Sequence, residues 1–361
     1  MRETIVFISD LFDLQIIGGA ELNDRVLINF LKSKASIDVV EIKSDAITAE
    51  LINQHNKFIV SNFVVLPEFA KALLQTKDYI IYEHDHKYVS TRDPSYFPDF
   101  KIPPQHIVNR EFYESAKAVV VLSRVCKEVL EKNLNLTNVY NIGSSLWSTE
   151  RLDYIESLLG TPKNDKFAVI QSSNQIKGTP EAVEICKQQG IEYDLVGPFH
   201  PNQLLEALAA YKGLVFFPKV LETFSRLSAE AKMLNCSLLT RPKMLGFASE
   251  EIFSLSGQQL IDELRGRVDA ALELFVELIE MAKTTATPED ITVILNCYRR
   301  PEYLKEQISA LRKQTNPPSQ IWIWVNHHEE NASIDFAQFE VDRVIKNDHN
   351  WKFYGRFAAA L

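Results

Sequence analysis

The sequence has few of the features that mark secreted, membrane-spanning or nucleic-acid-binding proteins. Its four cysteines lie far apart and form no C-x-x-C pair, so we expect buried free thiols in a reducing compartment. The N-terminus turns polar too early for a signal peptide, and no run reaches the roughly 18 apolar residues of a membrane span. The net charge of −9, without a basic stripe, argues against a nucleic-acid partner. We therefore expect a cytoplasmic protein, and peripheral membrane contact stays open.

What the sequence does contain is a regular alternation of short apolar runs and helical patterns, which predicts an α/β fold. The 361 residues are enough for two or three domains, each with its own core. Breaks in the pattern predict a first domain over residues 1–163, a second over 164–285 and a third unit over 289–361.

The most informative stretch is the end of one predicted strand and the start of the next helix. The apolar run 213–217 predicts a buried parallel strand, Pro218 ends it, and Thr223 is the predicted N-cap of the helix that follows. A strand, a tight loop and a helix start together are the usual anion site of an α/β sheet. Two carboxylates bracket the loop, Glu222 before the helix and Glu230 inside it. The spacing alone also fits a capped helix with one solvated glutamate.

Three further segments place polar or glycine residues in the loops that follow predicted strands, where α/β proteins bind their ligands. They are Gly18–Gly19 at the start of the first helix, the run Glu83-His84-Asp85-His86, and Lys177-Gly178 before a later helix. Each also has a plain structural interpretation: a left-handed turn, a hydrogen-bonded loop histidine and a solvated lysine.

Two other functions fit these segments less well. A dinucleotide-binding oxidoreductase would need a third glycine, and here eight residues separate the first strand from Gly18. A metal site at His84 and His86 has no obvious third ligand.

The E-x7-E pair formed by Glu222 and Glu230, preceded by Pro218, resembles the signature of retaining GT-B glycosyltransferases of the glycogen-synthase-like group. The resemblance implies two Rossmann-like domains that face each other across a cleft. The first domain would hold the acceptor and the second the nucleotide-sugar donor. The sequence departs from the family pattern at Lys219, where serine is common, and at Ser225, where the family has glycine.

The family's site residues transfer to this chain by position. The catalytic residues would be His84 and Glu222, which would position the transferred sugar. His86 is the alternative to His84 if the register differs. Glu230 would bind the donor ribose. Ser172 stands where the family has an arginine that shares the donor diphosphate with the lysine of Lys177-Gly178. The predicted donor-binding residues are Gly18, Gly19, Lys177, Thr223, Phe224, Ser225 and Glu230.

The implied reaction moves a hexose from a nucleotide-diphosphate sugar to a hydroxyl acceptor such as a glycan. It retains the anomeric configuration and needs no metal or other cofactor in this site. The alternative is a catalytically degenerate GT-B module that binds a glycan or a partner protein.

The last part of the chain resembles the first strand–helix–strand unit of a family 2-like GT-A glycosyltransferase. The matching features are Tyr298, Arg299 and Arg300 after a strand, and Asn326–His327 at the family's D-D position. About seventy residues cannot bury a complete GT-A sheet, so we expect a fragment of a longer chain.

Overall fold

The apolar runs before residue 142 form a six-stranded parallel sheet, as expected for strands that are covered on both faces. The structure is a computed structural model, and it describes residues 2–12, 18–281, 291–314 and 317–352. The spatial order is β2-β1-β3-β4-β5-β6. Because this order reverses between β1 and β3, a ligand crevice is expected outside the carboxyl ends of these two strands. The strands are β1 (Glu3–Ser9), β2 (Ile37–Lys43), β3 (Lys57–Val60), β4 (Asp78–Tyr82), β5 (Ala118–Val121) and β6 (Val139–Asn141).

In the described part of this segment, five α-helices connect the strands. In α1 the apolar residues at helical spacing (Leu27, Ile28 and Leu31) are completely buried. The helices are α1 (Gly19–Ser33), α2 (Ala49–Gln54), α3 (Glu68–Leu74), α4 (Arg110–Glu114) and α5 (Arg124–Leu134).

A second parallel sheet follows, in the order β10-β9-β7-β8. Its order reverses between β7 and β9, so the loops that follow these two strands border its own crevice. The strands are β7 (Asn164–Ile170), β8 (Tyr193–Val196), β9 (Tyr211–Phe216) and β10 (Ser237–Thr240), and the helices are α7 (Thr179–Gln189), α8 (Pro201–Ala209) and α9 (Arg226–Met233). The predicted α/β class with parallel sheets is confirmed.

Two helices, α6 (Thr149–Ser157) and α10 (Gly257–Glu280), join the sheets. The apolar stripe of α10 is buried in a core cluster that also contains residues of both sheets. At the end of α10, Lys57 Nζ donates to Ile279 O (2.7 Å), and a cation there also complements the helix dipole. No helix in the described part of the chain is long and apolar enough to span a membrane.

The chain divides into two compact units, Met1–Ala282 and Lys283–Leu361. The second contains β11 (Thr292–Cys297), α11 (Leu304–Arg312), β12 (Gln320–Val325), α12 (Glu329–Ala332) and β13 (Arg343–Lys346), with a parallel sheet in the order β11-β12-β13. Its kinship with GT-A enzymes stays a prediction. The predicted boundary at 285–289 and the segment 353–361 lie outside the described residues.

Asn326, at the D-D position of this unit, is buried, and its side chain makes hydrogen bonds within the protein. Asn326 Nδ2 donates to Asn296 Oδ1 (2.9 Å) and Lys352 O (2.8 Å), and its Oδ1 accepts from the Trp351 amide (3.0 Å). The side chain therefore ties two strand ends to the segment that follows β13.

Candidate active site

Two loops of the second sheet meet where its strand order reverses. At Gly178 (φ +68°) an added Cβ would lie 1.8 Å from the Phe217 carbonyl oxygen, so both the backbone conformation and the close approach require glycine. This contact places Lys177 against the loop after β9, where its Nζ lies 2.9 Å from Glu222 Oε1. The Lys177 side chain is 40% exposed and that of Glu222 only 15%. The two residues singled out from separate motifs are thus direct partners.

The loop after β9 is also held from its other side. The Glu222 amide donates to Met244 O (3.0 Å), and the Gly246 amide donates back to Glu222 O (2.8 Å). Gly246 approaches so closely that an added Cβ would lie 2.0 Å from Thr223 O. The Phe224 ring is buried in the core, which leaves only its backbone to reach a ligand.

The prediction that Thr223 caps the next helix is wrong. Helix α9 begins at Arg226, and its N-cap is Ser225. Glu222 pairs with Leu245 as in a parallel β-ladder, so the backbone is still extended at Glu222, and the helix begins only after Thr223. The Thr223 hydroxyl instead donates to His84 O (3.0 Å) and so links the two sheets.

Ser225 adopts a backbone conformation that favours glycine. Its φ of 77° and ψ of 80° lie in the left-handed region, where a side chain costs about 1–2 kcal/mol. Its hydroxyl is bonded to that of Ser228 (2.9 Å) and does not cap the helix. Glycine would adopt this conformation without strain, whereas the serine holds it under strain.

The starts of α1 and α9 approach each other. Gly18 is the N-cap of α1 and provides no side chain to cap it, and an added Cβ on Gly19 would lie 3.5 Å from Arg226 Cδ. At the start of α1 a carboxylate is already present, because Glu21 Oε2 lies 2.3 Å from the position of an added Cβ on Gly18. The start of α9 has no side-chain cap and favours an anion. Glu21, in the first turn of α1, is buried, and burial raises its pKa.

His84, just beyond β4, lies against a buried carboxylate that the sequence analysis missed. Its Nε2 is 3.2 Å from Asp24 Oδ1. Asp24, on α1, also accepts from Ser61 Oγ (2.7 Å) and Ser9 Oγ (3.2 Å), at the ends of the strands between which the sheet order reverses. His84 is thus held at the crevice of the first sheet. No motif marks Asp24, because its partners come from three other segments.

His86, the alternative to His84, lies in a different environment. Its Nδ1 is 3.1 Å from the Tyr88 hydroxyl, and burial lowers its pKa. Within the described residues, no group of three His, Cys, Asp or Glu side chains is arranged to hold a metal ion.

Glu230 is buried and surrounded by donors. Its Oε1 accepts from Trp147 Nε1 (3.0 Å), and Arg226 Nη2 lies 3.7 Å from the same oxygen. Arg151 Nη2 lies 3.3 Å from Oε2. Two guanidinium groups and an indole therefore orient one carboxylate, and Oε2 keeps capacity for a further hydroxyl donor.

A cavity of about 460 Å³ opens beside this group, within the size range of small-molecule sites. It lies between the face of α1 and the starts of α6, α8 and α9. Its lining residues are Leu22, Arg25, Val26, Asn29, Ser148, Glu150, Arg151, Pro201, Asn202 and Arg226.

No family model and no curated protein matches the chain. Among solved structures it is similar to Anabaena Alr3699/HepE in complex with UDP and glucose (13% identity, 76% of this chain and 100% of that chain, TM-score 0.42). It is also similar to AviGT4, a glycosyltransferase involved in avilamycin A biosynthesis (13% identity, 77% and 97%, TM-score 0.42). A third is a UDP-forming α,α-trehalose-phosphate synthase from Burkholderia vietnamiensis (9%, 77% and 93%, TM-score 0.42). Because these TM-scores are below 0.5, the function has to be argued from this chain's own residues.

Proposed function

We propose that this chain is a GT-B glycosyltransferase that moves a hexose from a nucleotide-diphosphate sugar to a hydroxyl acceptor. The observation that carries the proposal is the contact of Lys177 with Glu222 (2.9 Å) in the loop that leads into α9. The start of α1 at Gly18 and Gly19 lies near the start of α9. Lys177 and the start of α9 supply fixed positive charge of the kind that a departing diphosphate needs.

Donor binding would rearrange the ion pair. The diphosphate is a stronger partner for Lys177 than Glu222 is, because it carries more charge and more acceptor oxygens. Once Lys177 turns to the phosphate, the Glu222 carboxylate is released to accept hydroxyls of the sugar. The amides from Thr223 to Ser225 lie in the same loop and add neutral donors to the phosphate oxygens.

His84 would position the sugar from the opposite sheet. Its ring is fixed by Asp24, and its carbonyl is bound by the Thr223 hydroxyl, so it is tied to the donor loop. Glu230 would accept a ribose hydroxyl on Oε2, beside the bond from Arg151. Residues 1–163 would then hold the acceptor and residues 164–285 the donor.

The test is turnover with a panel of nucleotide sugars. We expect release of the nucleoside diphosphate, no loss of rate with EDTA, and a product with the donor's anomeric configuration in proton NMR. Glu222→Gln should lower kcat more than it weakens donor binding, because the carboxylate acts on the sugar. Equal kcat for Glu222→Gln and the wild type would refute the role of Glu222.

A degenerate binding module is the second candidate. Several side chains proposed for the donor are already paired within the chain, namely Lys177 with Glu222 and Glu230 with Trp147 and Arg151. Ser225 also stands where the family has glycine, and its hydroxyl is bonded to that of Ser228. For such a module, no nucleotide sugar of the panel would be turned over, although a glycan would still bind.

A further inference from the structure

The residue before Glu222 is anchored in the first sheet. The Leu221 side chain is 3% exposed and packs in a core cluster whose other described members all lie between residues 6 and 139. The Leu221 backbone, in contrast, belongs to the loop that follows β9 of the second sheet. The chain therefore reaches from one sheet into the core of the other immediately before the carboxylate that is proposed to act on the sugar.

The Leu221 backbone is held by a carboxylate of the first sheet. Asp93 lies in the loop between β4 and α4, and its Oδ1 accepts a hydrogen bond from the Leu221 amide (3.1 Å) across 128 residues of sequence. Asp93 is only 3% exposed, so water does not compete for this bond. A charged acceptor of this kind makes a stronger hydrogen bond than a neutral one.

Asp93 is itself fixed by its own turn. Its Oδ1 also accepts from the Ser95 amide (2.9 Å), and its Oδ2 accepts from the Ser95 hydroxyl (2.8 Å). The Thr91 hydroxyl accepts from the Asp93 amide (3.3 Å) and donates to the Asp93 carbonyl (2.9 Å). Both the backbone and the side chain of Asp93 are thus restrained, so the position of Oδ1 determines where the Leu221 amide can lie.

The residue after Glu222 is bound to the same loop of the first sheet. The Thr223 hydroxyl donates to the carbonyl of His84 (3.0 Å), which lies between β4 and α4 as Asp93 does. Glu222 is therefore anchored to one loop through both of its neighbours. Such support matters for a reacting group, because a displacement of about 1 Å can slow a reaction about a hundredfold.

We propose that Asp93 is a positioning residue for sugar transfer: through the Leu221 amide it holds the Glu222 carboxylate against the transferred sugar. This role rests on the proposed function. Because Asp93 acts through Glu222, loss of its bond to Leu221 lowers kcat, whereas Lys177 and the start of α9 still bind the diphosphate.

Two replacements of Asp93 separate the bond to Leu221 from the local turn. In Asp93→Ser the hydroxyl can still accept from the Ser95 amide, but it is one bond shorter and does not also reach the Leu221 amide. Asp93→Asn keeps an oxygen in the place of Oδ1, and its NH₂ group can donate to the Ser95 hydroxyl. We expect kcat to fall about tenfold or more in Asp93→Ser and to stay within about twofold of the wild type in Asp93→Asn.

Release of nucleoside diphosphate from the panel of nucleotide sugars gives kcat, and calorimetric titration gives the affinity for the diphosphate. That affinity should be retained in both variants. The matched control is Ser95→Ala, which removes a bond to Oδ2 of the same carboxylate but leaves the bond to Leu221, so its kcat should be unchanged. Thermal melts of the three variants check that the fold persists.

Three results would overturn the role of Asp93 alone, in a wild-type chain that turns over a nucleotide sugar. They are an unchanged kcat in Asp93→Ser, an equal loss of kcat in Asp93→Asn, and a loss of diphosphate affinity in parallel with kcat, which indicates general damage to the site. A wild-type chain without turnover of any nucleotide sugar would instead overturn the proposed function, and the role of Asp93 with it.

Discussion

Replacing Gly178 by alanine tests whether the two loops of the second sheet are pinned together as described. Gly178 and Gly190 flank the same helix, α7, as its N-cap and C-cap, and both have a left-handed backbone (φ 68° and 64°). An added Cβ would lie 1.8 Å from Phe217 O at Gly178, whereas nothing lies within 4 Å of it at Gly190. Gly190→Ala therefore measures the conformational strain alone.

The expected losses differ by several kcal/mol. Left-handed strain destabilises either variant by about 1–2 kcal/mol. At Gly178 the collision adds a further 1–3 kcal/mol or so, as for other overpacked sites. Relief of the collision separates the loops, which breaks the hydrogen bond from the Lys219 amide to Ile176 O (2.9 Å), a loss of about 1 kcal/mol. The Lys177–Glu222 pair adds at most about 1 kcal/mol, because Lys177 is 40% exposed.

Urea denaturation followed by tryptophan fluorescence gives the free energy of unfolding of both variants. We expect Gly178→Ala to lose about 3–7 kcal/mol and Gly190→Ala about 1–2 kcal/mol. Equal losses in the two variants would refute the close packing of the loops.

Three further changes test other parts of the structure. The Ser225→Gly variant should be more stable than the Ser225→Ala variant by about 1 kcal/mol in urea denaturation, since only glycine accepts the left-handed backbone without strain. A more stable Ser225→Ala variant would contradict the described conformation. Burial raises the pKa of Glu83, but the charge of Lys87 and several hydrogen bonds outweigh burial and hold it at about 2, below its ordinary 4.5. Its contribution is thus present above about pH 4.5 and is lost as the pH falls towards 2, so Glu83→Gln should flatten the acid limb of a stability–pH curve. Asp24→Asn should lower the free energy of unfolding by about 1–3 kcal/mol, because the new NH₂ group would face the Ser9 and Ser61 hydroxyls, which donate to the carboxylate. The same change should shift the ring NMR signals of His84.

Short local patterns predicted much of the fold. The apolar run 213–217 predicted a buried parallel strand, and β9 (Tyr211–Phe216) lies there. In α10 the buried apolar residues recur at helical spacing, which is the pattern of a helix with one buried face. The start of α9 was misjudged because Thr223 is a typical N-cap residue, and its hydroxyl found a partner in the other sheet instead.

The candidate site was only partly predictable, since its contacts join distant segments. Lys177 and Glu222 could be found from their motifs, although these lie 45 residues apart. The bond of Trp147 to Glu230 spans 83 residues, and Asp24 lies 60 residues from His84, so no local pattern reveals either contact. Arg226 lies within the Glu222–Glu230 motif, but its neighbours on α1 become visible only in the folded chain.

Calorimetric titration of nucleoside diphosphates tests the proposed donor site most directly. The matched variants are Lys177→Met and Lys166→Met: Lys166 is similarly exposed (45%) and pairs with Asp194 at the same distance, 2.9 Å, but outside the loop. We predict that at least one nucleoside diphosphate binds the wild type and Lys166→Met equally, and binds Lys177→Met about tenfold or more weakly. Undiminished affinity in Lys177→Met, or no binding to the wild type, would contradict the proposal that Lys177 holds a diphosphate at the start of α9.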